Sequence, residues 1–186
     1  MKKISSILRS LWSFIGLDIG WLSCVLGAAL DMHWLGLLTV ILLGIIHLYI
    51  TGRRNILPAI LLGMSCIAVG FILDTILIYF KVFEPNRWIL PNPITTIWLL
   101  MLWVNFSLAL NESLRWLQKH LFISALMGSF FGPLAYLAAS RIGAVRLTTP
   151  FSNSLIALGI AWFIAMPLIS FLSKFFYNNF SYLRNR

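Results

Sequence analysis

Few side chains in this sequence are able to move a proton: five Asp and Glu, three His and five Tyr, dispersed through 186 residues. Asp74 stands out among them. It is the only charged residue of residues 56–80, an otherwise apolar run that also holds the thiol of Cys66. A carboxylate at the middle of a membrane helix costs roughly 2.5–3.5 kcal/mol on insertion scales, so such a group normally faces protein or water. Distance along the apolar runs sorts the polar residues into two layers. Asp31, His33, Asp74, Tyr136 and Arg141 fall near one face, and Asp18, His47, Asn111 and Glu112 near the other, with Asn105 closer to the middle. A carboxylate, an imidazole and a phenol that converge make a proton-transfer site. The sharpest such pairing is Asp74 with Tyr136 or Arg141. The alternative is a structural knot, in which Asp74 is hydrogen-bonded to neighbouring helices and fixes their register.

Other chemistries lack their residues. The chain has no H-E-x-x-H, no G-x-S-x-G and no acidic cluster of the kind that holds magnesium. Cys24 and Cys66 stand alone in apolar runs, as buried thiols do. His33 and His47 share a face if one helix spans both, but two haems would need opposing ligands and only His120 remains. No metal and no cofactor is implied. On the fourth apolar run Asn105 and Glu112 share one face, and Ser107 and Asn111 another, so these four do not line one small site.

The elements that would position these groups follow from composition. The chain is 60% hydrophobic and only 10% charged, with mean hydropathy +0.92. So few charges cannot cover the surface of a soluble domain of this length. The reading is an all-α integral membrane bundle of six transmembrane helices in one polytopic domain, with spans at about residues 11–30, 34–51, 56–80, 94–111, 121–140 and 150–173. A short amphipathic N-terminal helix precedes them, with Ile4, Ile7, Leu8 and Leu11 at helical spacing. The basic start and Gly27-Ala28-Ala29 imitate a signal peptide, but the apolar run is long and carries Asp18, which favours an uncleaved first span.

Small residues mark helix-packing faces. Gly16 and Gly20 do so on the first span, Gly63 and Gly70 on the third in line with Asp74, and Gly128 and Gly132 on the fifth. Pro133 and Pro167 are expected to kink their helices. Asp18 points away from the first glycine stripe, either into a polar interior or toward the inner interface. Asn55, Asn92-Pro93 and Thr149-Pro150 read as helix starts, and the fourth helix reads as continuing through residues 112–117. Tryptophans at span ends, such as Trp12, Trp34, Trp88 and Trp116, read as interface anchors.

Basic residues give the orientation. With the N-terminus inside, ten Lys and Arg flank the inner ends, from Lys2, Lys3 and Arg9 through Arg53, Arg54, Arg115 and Lys119 to Lys174, Arg184 and Arg186. The four on the other side are Lys81, Arg87, Arg141 and Arg146. That asymmetry places both termini in the cytoplasm. The net charge of +9 is thus explained by topology and by membrane lipids as partners, with no nucleic acid involved. Other membrane proteins are further candidate partners. No internal repeat is visible, which weakens a transporter built from inverted halves.

Several stretches carry a resemblance. They are Gly20-Trp21 with Val25-Leu26-Gly27, Trp98-Leu99, Leu110-Asn111-x-Ser113-Leu114-x-Trp116-Leu117, and Gly128-x-x-x-Gly132-Pro133-Leu134-Ala135-Tyr136. With them the chain resembles, over about residues 14–172, a proteobacterial inner-membrane family classified only as a domain of unknown function. His47 and Asp74 fall where that family has polar residues; Asp18 falls where a neutral polar residue is usual. The resemblance implies a multipass protein of the bacterial inner membrane, in gene neighbourhoods with fatty-acid-modifying enzymes such as a cyclopropane-synthase-like methyltransferase. Three functions follow as expectations. The first is support of membrane-lipid or envelope homeostasis without catalysis. The second is a small proton-coupled transporter or lipid-handling protein using Asp74, and the third is an intramembrane lipid-modifying enzyme.

Overall fold

A computed structural model describes residues 2–52, 55–87, 91–148 and 150–180, with side chains from residue 7 onward. Trp88, Arg53, Arg54, Thr149, Arg184, Arg186 and the side chains of Lys2 and Lys3 lie outside the described residues. Six α-helices appear among the described residues: α1 Lys2–Ala29, α2 His33–Thr51, α3 Ile56–Tyr79, α4 Ile97–Leu110, α5 Leu121–Ile142 and α6 Phe151–Phe180. Five of them are long and apolar enough to cross a membrane; α4 is apolar but shorter. By length and composition this is a multipass membrane protein.

Five expectations about the helices change. The N-terminal amphipathic segment is not a separate helix but the first turns of α1, because nothing between residues 2 and 11 breaks the backbone ladder. Residues 112–119 do not extend α4 but form a turn and a 3-10 helix, Arg115–Lys119. Asn92-Pro93 does not start α4, which begins at Ile97 behind an extended Thr96. A third-span hydroxyl fixes that start, since the backbone N–H of Thr95 donates to Thr75 Oγ1 at 3.3 Å. Asn55 sits at the N-cap position of α3 without capping it; its amide turns back to the Thr51 carbonyl at 2.9 Å. At the far end of the chain, α6 runs on to Phe180 rather than ending near residue 173.

With fourteen residues, α4 is roughly 21 Å long, against about 30 Å of hydrocarbon. It remains inside because α1, α2 and α3 pack along it, burying Trp98, Leu99, Trp103, Asn105, Ser107, Ala109 and Leu110. Irregular backbone is tolerated at membrane depth where protein covers it. Thr95 and Thr96 at one end of α4 are fully buried. At the other end the two N–H groups of Gln118 Nε2 are shared among the Leu110 carbonyl (3.0 Å), Asn111 Oδ1 (3.2 Å) and Ser173 Oγ (3.0 Å). This clasp ties the reversal after α4 to α6 and satisfies a carbonyl that a continuing helix would have used.

The fold also contains a small sheet that the all-α reading did not anticipate. β1 (Phe83–Pro85), after α3, pairs antiparallel with β2 (Val145–Leu147), after α5, with Phe83 opposite Leu147 and Pro85 opposite Val145. Phe83 and Val145 are buried beneath this ribbon, while Glu84 and Arg146 form an ion pair on its outer side. Each strand has only three residues, so no period-2 pattern marks it, and the pairing exists only once α3 and α5 are side by side.

Two tryptophans hold α3, α4, α5 and α6 together. Trp103 of α4 and Trp162 of α6 stack with ring centroids 4.8 Å apart and planes 4° from parallel. A Cβ on Gly70 of α3 would collide with the Trp103 ring, and one on Gly132 of α5 with the Trp162 ring. Gly20 likewise admits the Asn105 amide, and Gly128 admits Met166. The remaining stripe positions are looser: a Cβ would find Leu43 at 3.7 Å from Gly16 and Ser107 at 3.7 Å from Gly63. Helices α5 and α6 continue through Pro133 and Pro167. Gly70→Ala is therefore expected to destabilise the bundle by about 1–3 kcal/mol through overpacking. Gly63→Ala, seven residues away on the same helix, should be neutral or slightly stabilising because alanine is the better helix former. Thermal midpoints of the two variants in one detergent check the contrast.

Candidate functional site

Asp74 is fully buried five residues before the end of α3. Both carboxylate oxygens are occupied. Trp103 Nε1–H donates to Oδ2 at 2.8 Å, and the Tyr136 hydroxyl donates to Oδ1 at 2.7 Å. Three helices, α3, α4 and α5, thus meet at one carboxyl group. Phe83 packs edge-on against the Tyr136 ring with centroids 4.8 Å apart, so the β1–β2 ribbon covers the node from its end of the bundle. The stacked face of Trp103 and its N–H act together: the ring is held by Trp162, and that fixes where the indole donor points.

Of the pairings considered for Asp74, the structure brings Tyr136 to the carboxylate and leaves Arg141 exposed in the last turn of α5. His47 is buried in α2, four residues before its C-terminal end. Asp74 lies eighteen residues into α3, roughly 27 Å along the helix from the α2–α3 turn. These two groups are at opposite ends of the bundle and do not form one acid–base site. Asn105 is buried and donates through Nδ2 to the Leu17 carbonyl of α1 at 2.8 Å; Asn111 accepts from Gln118. The first ties α4 to α1, and the second holds the turn that follows α4. Asp18 does not enter the interior: it is exposed on α1 beside Phe14, Ile15, Ile19 and Leu22, which are also exposed.

Trp103, Trp162 and Gln118 were missed by sequence reasoning. Tryptophan in such a chain reads as an interface anchor, which suits the exposed Trp34 and Trp116 but not Trp98 and Trp103, at 2% and 3% exposure. No signal in the sequence separates Trp103: Gly63 and Gly70 both stand in register with Asp74, and only Gly70 has an indole ring against it.

The arrangement supplies one buried hydrogen-bond donor to each oxygen of a buried acceptor group. Tyr136→Phe removes one donor and leaves its carboxylate oxygen unmatched, at an expected cost of about 1–3 kcal/mol. In an Asp74→Leu background the same change should cost far less. A double-mutant cycle on thermal or denaturant unfolding in detergent measures the coupling, expected at roughly 0.6–1.7 kcal/mol from the range seen for interhelical bonds.

No curated protein and no solved structure matches the chain. The family described as protein of unknown function (DUF2878) matches residues 10–168, a stretch that includes Asp74, Trp103, Tyr136, Trp162 and the glycines on which the two tryptophans rest. By that match, which takes in most of its length, the chain belongs to the DUF2878 family.

Proposed function

We propose that this protein is a six-span bundle of the bacterial inner membrane, with both termini cytoplasmic, that supports membrane-lipid or envelope homeostasis as a non-catalytic membrane component. Asp74 serves in it as a structural knot. The observation that carries this reading is the closed shell around the carboxylate, whose two oxygens each already accept a hydrogen bond from a buried donor. A general acid or base needs a place for substrate beside it, whereas a knot needs only matched donors. The sixth span is α4 together with its buried flanking segments. The bias of basic residues toward one set of helix ends supports the orientation.

One feature favours a second reading, in which Asp74 carries a proton for a coupled transport or lipid-handling step. Its phenol partner at 2.7 Å makes a two-member relay.

Deletion of the gene, followed by complementation with the wild-type or Asp74→Asn chain, separates the two. The first reading expects an altered envelope or lipid profile in the deletion strain, with Asp74→Asn restoring it while lowering thermal stability modestly. Complete failure of an Asp74→Asn protein that accumulates and folds normally would favour the proton-carrying reading instead.

A further inference from the structure

At the opposite end of the bundle from Asp74, α1 meets the turn that follows α4. Ser13 Oγ lies 3.4 Å from Ser113 Oγ and 3.4 Å from the Leu108 carbonyl. Arg9 is one helical turn before Ser13 and so projects from the same side of α1. Glu112, in the turn after α4, feels the positive charge of both Arg9 and Arg115 across a gap wider than an ion pair. Glu112 is itself withdrawn from solvent. Burial raises its carboxyl above the ordinary carboxylate range, and the two arginines oppose that rise.

Two guanidinium charges thus act on one carboxylate, and the local sum is positive. One donor beside this turn has no protein partner: Arg9 Nε is buried and unbonded among the described residues. Beside it, Arg115 is exposed and Trp116 is 47% exposed, an indole next to a cation as at a headgroup boundary. A guanidinium held this way presents a planar fork suited to the paired oxygens of a phosphate.

We propose that Arg9 and Arg115, set around Glu112 at the inner ends of α1 and α4, form a binding site for the phosphate of an anionic phospholipid headgroup. The buried Nε of Arg9 supplies the oriented donor, and Arg115 supplies the second charge from the rim. The apolar outward face of α1, with Leu8 and Leu11 exposed, lies alongside for the acyl chains. The site rests on the membrane-embedded reading above but not on Asp74.

The test uses the full chain in micelles containing equimolar phosphatidylglycerol and phosphatidylcholine, with retained lipids counted by native mass spectrometry. Wild type is expected to retain phosphatidylglycerol over phosphatidylcholine by about tenfold. Arg9→Gln and Arg115→Gln should each remove most of that preference, and so should Arg9→Lys, which keeps the charge but lacks the Nε donor. Lys174→Gln, which removes a cation elsewhere on α6, should leave it intact. The site is overturned by a wild type without preference, or by an Arg9→Lys chain that behaves as wild type. An equal loss in Lys174→Gln, which would mean a diffuse field, also overturns it. Displacement of the retained lipid by millimolar inorganic phosphate would assign the site to a soluble anion and overturn the lipid assignment. A chain that will not enter micelles at all would overturn the membrane reading as well, so the two failures are distinguishable.

Discussion

The stacked pair Trp103 and Trp162 is the contact on which the rest of the bundle depends. Each ring lies where a glycine leaves room for it, so four helices are brought to one level by two side chains. Within oil there is no hydrophobic drive between helices, and association relies on close packing and on hydrogen bonds. Aromatic stacking adds about 0.5–1.5 kcal/mol beyond burial, and the glycine notches let the helices approach closely enough to collect dispersion energy from both faces. The stack also aims the Trp103 N–H at Asp74. Without that donor, one oxygen of a buried carboxyl group would go unmatched.

A second constraint comes from the shortness of α4. A helix of this length cannot satisfy its own ends at the membrane surfaces, so the chain satisfies them within the protein. Thr75 receives the backbone at one end, and Gln118 takes up the carbonyl at the other. The helices around α4 then cover it. This arrangement accounts for a buried glutamine after α4, a residue whose presence an isolated span would not explain.

Much of the helical layout was legible because an apolar run interrupted by Pro, Gly and charge has one economical solution in a bilayer. Asp74 was legible for the same reason: a lone acid in such a run stands out. What surrounds it was only half visible. Tyr136 could be named as a partner from its depth, but Trp103 could not, since nothing local distinguishes an inward tryptophan from an interface anchor. Gly63 and Gly70 look alike in sequence, and only the ring opposite Gly70 separates them. The end of α4 was misjudged because residues 112–117 suit a helix by themselves, and the decision rests with Gln118 and Ser173, fifty-five residues apart. The β1–β2 ribbon was invisible because each half gains its shape only from the other. Asp18 kept two readings open, and its rotation on α1 closed one of them.

Chemically, the node belongs with buried polar groups that specify one arrangement of otherwise interchangeable apolar rods. Its most direct test is the indole proton of Trp103, read by NMR on protein carrying nitrogen-15 tryptophan and assigned with Trp103→Phe. A proton donated to a buried carboxylate should resonate downfield of the other indole protons and exchange with solvent far more slowly than those of Trp34 and Trp116. In Asp74→Asn it should shift more than any other indole. A Trp103 proton that exchanges as fast as the exposed ones, and is unmoved by that substitution, would contradict the account.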